Sequence, residues 1–432
     1  MDKGKIRLLS RLMTIIIFFS MLNLGQHKVK AFDGDMVPLY KYGTQTPIQI
    51  HGQDIYIPKD YQQAKRQFRT AWVSTVTNLD FPSRPGLSEE EFKQEYLKIL
   101  EEFEELNFNA ITVQVRPKLD AFYKSEINPW SEYLTGMQGK DPGWDPLEWM
   151  IKVTHERNME FHAWFNPYRV TNTYEPNKTI EEILSTLSDN NWAKMHPQYV
   201  LKFDGKLLLN PGEPEVINYI KDSIVEVVQK YDVDAIHFDD YFYPYKVTRN
   251  GVTYYFGDAN EDLATFEKYG QGFDNIKDWR RNNVDTLIRE VSKAIKEKKP
   301  YVKFGISPFG IWGHYDRHPE GSPEGVGSHT PITSSASYDD IYADTRKWVK
   351  EGWIDYITPQ IYWAFGTTAA PYGELVDWWA DVVKGTNCHL YIGHANYKIN
   401  SSDNDWKNPD EIGNQLKFNL MYPQVKGSSF LV

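Results

Sequence analysis

Eight short apolar runs, all but the last followed by a stretch with helical periodicity, constrain this chain more than any other feature. "RTAWVSTV" precedes the amphipathic "SEEEFKQEYLKILEEFEEL", and "NAITVQVRP" precedes "DPLEWMIKVTHERN". "MEFHAWFNP" leads to helical stretches over 179–195, a short hairpin "VLKFDGKLLLNPGEP" and the helix "EVINYIKDSIVEVVQKY". "DAIHFDD", "VKFGISP", "IDYITPQIYW", "HLYIGHA" and "GSSFLV" complete the series, with helical patterns between them. Strands separated by helices imply parallel pairing, and eight such units imply an α/β fold, a (β/α)8 TIM barrel. The chain ends inside the eighth run, so the sequence reads as a barrel truncated within its eighth strand. An open barrel of that kind leaves an apolar flank uncovered. The expected organisation is a signal peptide over 1–31, a polar, Gly- and Pro-punctuated N-terminal arm over 32–66, and a catalytic barrel over 67–432.

Period two sorts the strand residues into two faces. Thr112, Gln114 and Arg116 share one face of the second run, and His162, Trp164 and Asn166 share one face of the third. His237, Asp239 and Tyr241 alternate in the fourth, as do Tyr356, Thr358, Gln360 and Tyr362 in the sixth. The intervening apolar residues are expected to pack outward on helices. The polar set is then expected to point into the barrel, with its last members at the C-terminal strand ends, where barrel enzymes keep their active sites. Asp239 is placed inward at that mouth; the direction of Asp240 stays open.

Two adjacent carboxylates repel, and burial raises their cost. One of them is thereby suited to hold a proton near neutral pH while the other stays ionised, the division of labour that glycoside hydrolysis uses. The structural alternative is that the pair caps a loop or meets Arg116 or Arg169. Arg116 could bind a carboxylate or pair with Asp239. Asn166, Tyr168 and Arg169 could hydrogen-bond sugar hydroxyls or anchor a loop. Gln360, Tyr362 and Trp363 could form a sugar platform or fill the barrel. His314 and His318 have ligand-like spacing with Asp316 but lie in a loop, so no metal site is assigned and no cofactor is expected. No phosphate-cradling loop or serine elbow is present.

Charge and the N-terminus narrow the setting. The chain has 59 acidic and 48 basic residues, a net charge of −11. Lys3, Lys5, Arg7 and Arg11 precede the apolar "LMTIIIFFSMLNL", and a small-residue site follows at Ala31, the order of a secretory signal peptide. Because part of the positive charge sits there, the remainder is more acidic still. A nucleic acid partner is excluded on that ground. The apolar run is short for a membrane span, so no stable membrane insertion is expected after cleavage; an uncleaved anchor is the alternative. The single cysteine, Cys388, allows no intrachain disulfide, which fits a secreted bacterial protein.

The blocks "RTAWVSTVTNLDFPS", "VQVRPKLDAFYKSEINPWSEYLTGMQGKDPGWDPLEWMI", "FHAWFNPYRV", "VDAIHFDDYFYP" and "IDYITPQIYW" closely resemble the bacterial family-10-like glycosyl hydrolases. The resemblance runs from about residue 67 to the end. It implies a secreted, periplasmic or cell-wall-associated (β/α)8 barrel that cleaves O-glycosidic bonds in cell-wall glycan, with peptidoglycan strands stripped of their stem peptides as the leading substrate class. It supports Asp239 and Asp240 as catalytic residues. As mouth-lining residues it supports Arg116, Asp120, Trp164, Asn166, Tyr168, Arg169, Gln360 and Tyr362, to which the strand pattern adds Tyr241 and the candidate sugar platform adds Trp363. A fainter likeness to the chitinase-type signature of strand four places tyrosine, at Tyr241, where that signature has its glutamate. The second catalytic group therefore stays open among Asp240, Asp339, Asp340 and the substrate's own N-acetyl group. Two other readings use the same residues: a non-catalytic barrel that binds wall glycan, and a hydrolase of another aminosugar exopolysaccharide.

Overall fold

The computed structural model describes residues 34–431, so the expected signal peptide lies outside the described residues. All eight runs are strands: β1 (Phe68–Val73), β2 (Ala110–Arg116), β3 (Glu160–Phe165), β4 (Ala235–Phe238), β5 (Lys303–Ile306), β6 (Tyr356–Ile357), β7 (His389–Ala395) and β8 (Val425–Leu431). They pair in parallel in sequence order and close into a barrel. The expectation of an open barrel is corrected here. Strand β8 is seven residues long, pairs with β7 from Val425 to Leu431, and pairs with β1 from Gly427 to Phe430.

Helices α1 (Glu89–Glu105), α2 (Pro146–His155), α3 (Pro214–Lys230), α4 (Ile276–Lys298), α5 (Thr345–Lys350), α6 (Tyr372–Val383) and α7 (Glu411–Asn419) lie among the connections. Local chemistry fixes their ends. Ser88 and Glu91 form a capping box at α1, whose first turn is acidic, and Pro214 opens α3 at a position that needs no N–H. Their apolar stripes turn onto the strands: Phe92, Tyr96, Leu100 and Phe103 from α1, and Val216, Ile220, Ile224 and Val227 from α3, are buried. Among the described residues no helix is long and apolar enough to cross a membrane. The segment before β1 is more apolar in use than its composition suggests. Met36–Pro38 pairs with Tyr56–Pro58, and Leu39, Ile48, Ile55 and Ile57 enter the main core.

The barrel interior carries a chain of polar side chains. The Trp72 indole donates to His237 Nε2 at 3.1 Å. An indole N–H can only donate, so Nε2 is the unprotonated nitrogen of His237 and its Nδ1 carries the proton. That N–H donates to the Tyr356 hydroxyl at 3.0 Å, and the hydroxyl donates to His162 Nδ1, also at 3.0 Å. His162 Nε2 then donates to Glu160 at 3.0 Å, at the opposite end of the barrel from the mouth. Gly305 makes room for this chain. It stands in register between His237 and Tyr356, and a Cβ built there falls 2.0 Å from the Tyr356 ring.

Gly305→Ala is therefore expected to overpack the barrel and lower stability by about 1–3 kcal/mol. Gly413, inside α7, has nothing within 4 Å of a built Cβ, so Gly413→Ala is expected to stabilise by up to about 1 kcal/mol. Paired denaturant melts check both signs; a neutral Gly305→Ala contradicts the packing described.

Candidate active site

Strand β4 ends at Phe238, and Asp239 and Asp240 follow as the backbone leaves the sheet at the C-terminal mouth. Asp239 is only 8% exposed, and N–H donors surround it. Asn166 Nδ2 donates to Oδ2 at 3.0 Å and to Oδ1 at 3.3 Å, Trp164 Nε1 donates to Oδ2 at 3.2 Å, and the Tyr241 backbone N–H donates to Oδ1 at 3.1 Å. Burial raises the Asp239 carboxyl above its ordinary range, while the Arg169 charge and these donors pull it back down. Asp240 accepts a hydrogen bond from the Tyr245 hydroxyl at 2.8 Å. Burial first, and the neighbouring Asp239 charge second, push Asp240 up to about 7. Asp239 has more donors for its charged form, so the pair sheds its first proton from Asp239 and keeps the second on Asp240.

Around the pair the mouth has two unlike sides. On one, the Arg169 guanidinium lies 4.5 Å from the Tyr241 ring centre, and the Arg169 backbone N–H donates to Asn166 Oδ1 at 3.1 Å. On the other, Tyr245 packs against Tyr241 and Phe309, each at 5.3 Å. The charge of Asp240 reaches the Tyr362 phenol and adds to the burial that raises it, and Tyr362 meets Tyr397 edge-on at 6.2 Å. Gln360 Nε2 donates to the Ser307 carbonyl at 2.8 Å, tying the end of β6 to the end of β5. Trp363 packs on Gly310, where a Cβ would fall 2.9 Å from the indole.

Trp164, Asn166, Arg169, Asp239, Asp240, Tyr241 and Tyr362 are thus brought together, with Gln360 and Trp363 bracing the far side. Three expected mouth residues lie elsewhere. Arg116 does not meet Asp239. The β2–β3 register slips after Gln114, so that Gln114 faces Trp164 but Arg116 faces the outward Phe165. Arg116 is fully buried on the outer side, 5.4 Å from the Tyr219 ring of α3, bonded to Asn128 and to the Asn166 carbonyl. Asp120 is also fully buried, accepting from Gln138 at 2.9 Å and lying 3.5 Å from Lys118. Tyr168 is enclosed, and its carbonyl accepts from Leu209 N at 2.9 Å, which anchors the β3 loop to the hairpin. Among the candidates for a second group, Asp240 adjoins Asp239. Asp339 is engaged by His318 and Arg317, and Asp340 by the Ala336 N–H and Lys246. His314 is bonded to Thr330 and the Ser334 carbonyl. The sequence does not single out Tyr245, Phe309 or Tyr397; only the aromatic cluster after the aspartates signals Tyr245. Trp72 was reachable, because period two places it inward with Thr70.

A carboxyl that holds its proton to neutrality, next to one that gives it up, supplies what cleavage of an acetal bond requires, and comparison with known proteins agrees: the protein is a glycoside hydrolase. The chain belongs to the glycosyl hydrolase-like 10 family, whose model matches residues 67–408. It is 48% identical over 368 residues to glycosyl hydrolase YngK of Bacillus subtilis (strain 168), covering 85% of this chain and 68% of that protein. It is 40% identical over 386 residues to glycosyl hydrolase DigH of Escherichia coli (strain K12), covering 86% and 84% respectively. Among solved structures it is similar to alpha-L-fucosidase isoenzyme 2 from Paenibacillus thiaminolyticus, with a TM-score of 0.49 and 15% identity over 84% of this chain and 46% of that one.

The raised carboxyl of Asp240 has a consequence for stability. Its ordinary value is 3.8 and its value in the fold is about 7, so between those limits the native state binds a proton that the unfolded chain has released. Stability attached to this group is complete below pH 4 and is lost as pH rises through 7. Asp240→Asn removes that loss. The variant is expected to be more stable than the parent at pH 8, by on the order of 1–3 kcal/mol, with the gap closing toward pH 4. Melts across that range check the sign; a variant less stable at pH 8 contradicts it.

Proposed function

We propose that the protein is exported and cuts O-glycosidic bonds in the glycan strands of bacterial peptidoglycan, with Asp240 as general acid and Asp239 as its ionised partner. The observation that carries this reading is the unequal pair: two adjacent carboxyls, one surrounded by N–H donors and one pushed up to about 7. At neutral pH Asp240 can protonate the leaving oxygen as the bond breaks. Asp239 supports the positive charge that develops at the anomeric carbon. Water adds to that carbon, and its proton restores Asp240, so the reaction balances as hydrolysis. Tyr245, Phe309, Tyr362 and Tyr397 offer ring faces for the apolar sides of sugar rings. The wall-glycan substrate rests on the family resemblance, and export on the basic-then-apolar N-terminus, which together bring enzyme and wall into one compartment.

Asp239→Asn and Asp240→Asn are each expected to fold and to lose at least about a hundredfold in turnover, with less than additive loss in the double variant. Strands freed of stem peptides by an amidase are expected to be cut faster than intact sacculi, with fragments identified by mass spectrometry. Near-native turnover by both single variants would move the chemistry elsewhere. Cleavage of an aminosugar exopolysaccharide but not of either wall preparation would replace the substrate.

A further inference from the structure

Most cations near the mouth are already spent on carboxylates. Lys118 pairs with Asp120 and Glu132, Lys246 with Asp340 at 3.7 Å, and Arg317 with Asp339 at 3.5 Å. Arg169 has no carboxylate within 4 Å among the described residues, although its charge is felt by both Asp239 and Asp240. The oxygens of Asp239 are occupied by Asn166, Trp164 and the Tyr241 N–H. Only one edge of the Arg169 guanidinium is used: Nη1 donates to the Pro117 carbonyl at 3.2 Å. Nε is buried with no hydrogen-bond partner, and Nη2 makes no hydrogen bond among the described residues.

That empty Nε–Nη2 edge is the one with which this protein binds carboxylates elsewhere. Arg249 grips Asp204 through Nε at 3.1 Å and Nη2 at 2.7 Å. Arg280 grips Asp262 through Nε at 2.8 Å and Nη2 at 2.5 Å. Two parallel N–H groups match the two oxygens of a carboxylate. At Arg169 the guanidinium is held at two points, over the Tyr241 ring and by the Pro117 carbonyl, and Asn166 fixes the backbone beneath it through the Arg169 N–H, so little freedom remains to be lost on binding. A buried N–H left without an acceptor is costly, and at the mouth an incoming carboxylate is a group that would relieve that cost.

We propose that the Nε–Nη2 edge of Arg169 is a carboxylate-binding site, and that it receives the lactyl carboxylate of a muramic acid residue next to the scissile bond. This rests on the peptidoglycan reading and deepens it. In a peptide-bearing strand that carboxyl is locked in an amide; once the peptide is removed it is free and negative. The preference for naked strands then follows from charge recognition as well as from relief of crowding. It also explains how an acidic protein holds an acidic polymer beside two aspartates.

The test uses amidase-treated strands and the same strands with the lactyl carboxylates converted to primary amides, which keep the size and remove the charge. The parent enzyme is expected to lose about tenfold or more in kcat/KM on the amidated strands, chiefly through KM. In Arg169→Gln the two substrates are expected to come within about threefold of each other, whatever the absolute rate, and Arg169→Lys is expected to fall between, because it keeps the charge without the fork. Equal cleavage of both substrates by the parent overturns the proposal, as does an Arg169→Gln or Arg169→Lys variant that keeps the parent's full discrimination. The parent comparison decides even if a variant does not fold. If the parent cuts neither preparation, the peptidoglycan reading itself has failed, and this assignment with it.

Discussion

The site depends on one side chain that carries no charge. Asn166 stands just past β3, and its amide nitrogen donates to both oxygens of Asp239 while its amide oxygen accepts the Arg169 N–H. Its backbone is tied to β2 in both directions: its N–H donates to the Arg116 carbonyl at 2.9 Å, and its carbonyl accepts from Arg116 Nη1 at 2.8 Å. One residue thereby fixes the ionised carboxylate, the backbone that carries the cation and the relative position of three strand ends. Without such donors, an ionised carboxylate as buried as Asp239 would be too costly to keep. With them, Asp239 is the group that ionises, and Asp240 is left to hold the proton.

The barrel beneath serves the same end. The chain from Trp72 through His237, Tyr356 and His162 to Glu160 links β1, β3, β4 and β6 across the interior, and Ser307 adds β5 by approaching His237 Nε2 at 2.9 Å. Burial, and then the charge of the facing His162, hold His237 well below its ordinary range, so it stays neutral and its tautomer is set by the Trp72 donor. A chain with each member satisfied is rigid, because a rotation at one link strands a buried polar atom at the next. The strand ends that carry Asp239 and Asn166 rise from this braced layer.

Much of this was legible in the sequence. Alternation of strand and helix announced the barrel, and period two placed His162, Trp164, His237 and Tyr356 inward, as they are. It failed at Arg116 for a definite reason: a register slip after Gln114 breaks the alternation, and no residue in "ITVQVRP" signals it. The family resemblance implies Asp120 and Tyr168 as mouth residues, but the loops that carry them fold over one another and enclose both, a tertiary fact that local pattern does not contain. Closure by β8 is not legible in the sequence, which shows only a short final apolar run, whereas seven residues suffice for pairing on both sides. The polar arm concealed four buried aliphatics, Leu39, Ile48, Ile55 and Ile57, spaced too irregularly to show a period.

The central claim is that Asp240, half-buried at the mouth, keeps a proton near neutrality because it is desolvated beside an ionised Asp239. Carbon-13 NMR titration of the protein labelled at the aspartate carboxyl carbon tests it most directly, with Asp240→Asn supplying the assignment. The account predicts that Asp240 titrates near 7 in the parent and at least about one unit lower in Asp239→Asn, where the neighbouring charge is gone. An Asp240 that titrates near 4 in both proteins would contradict it.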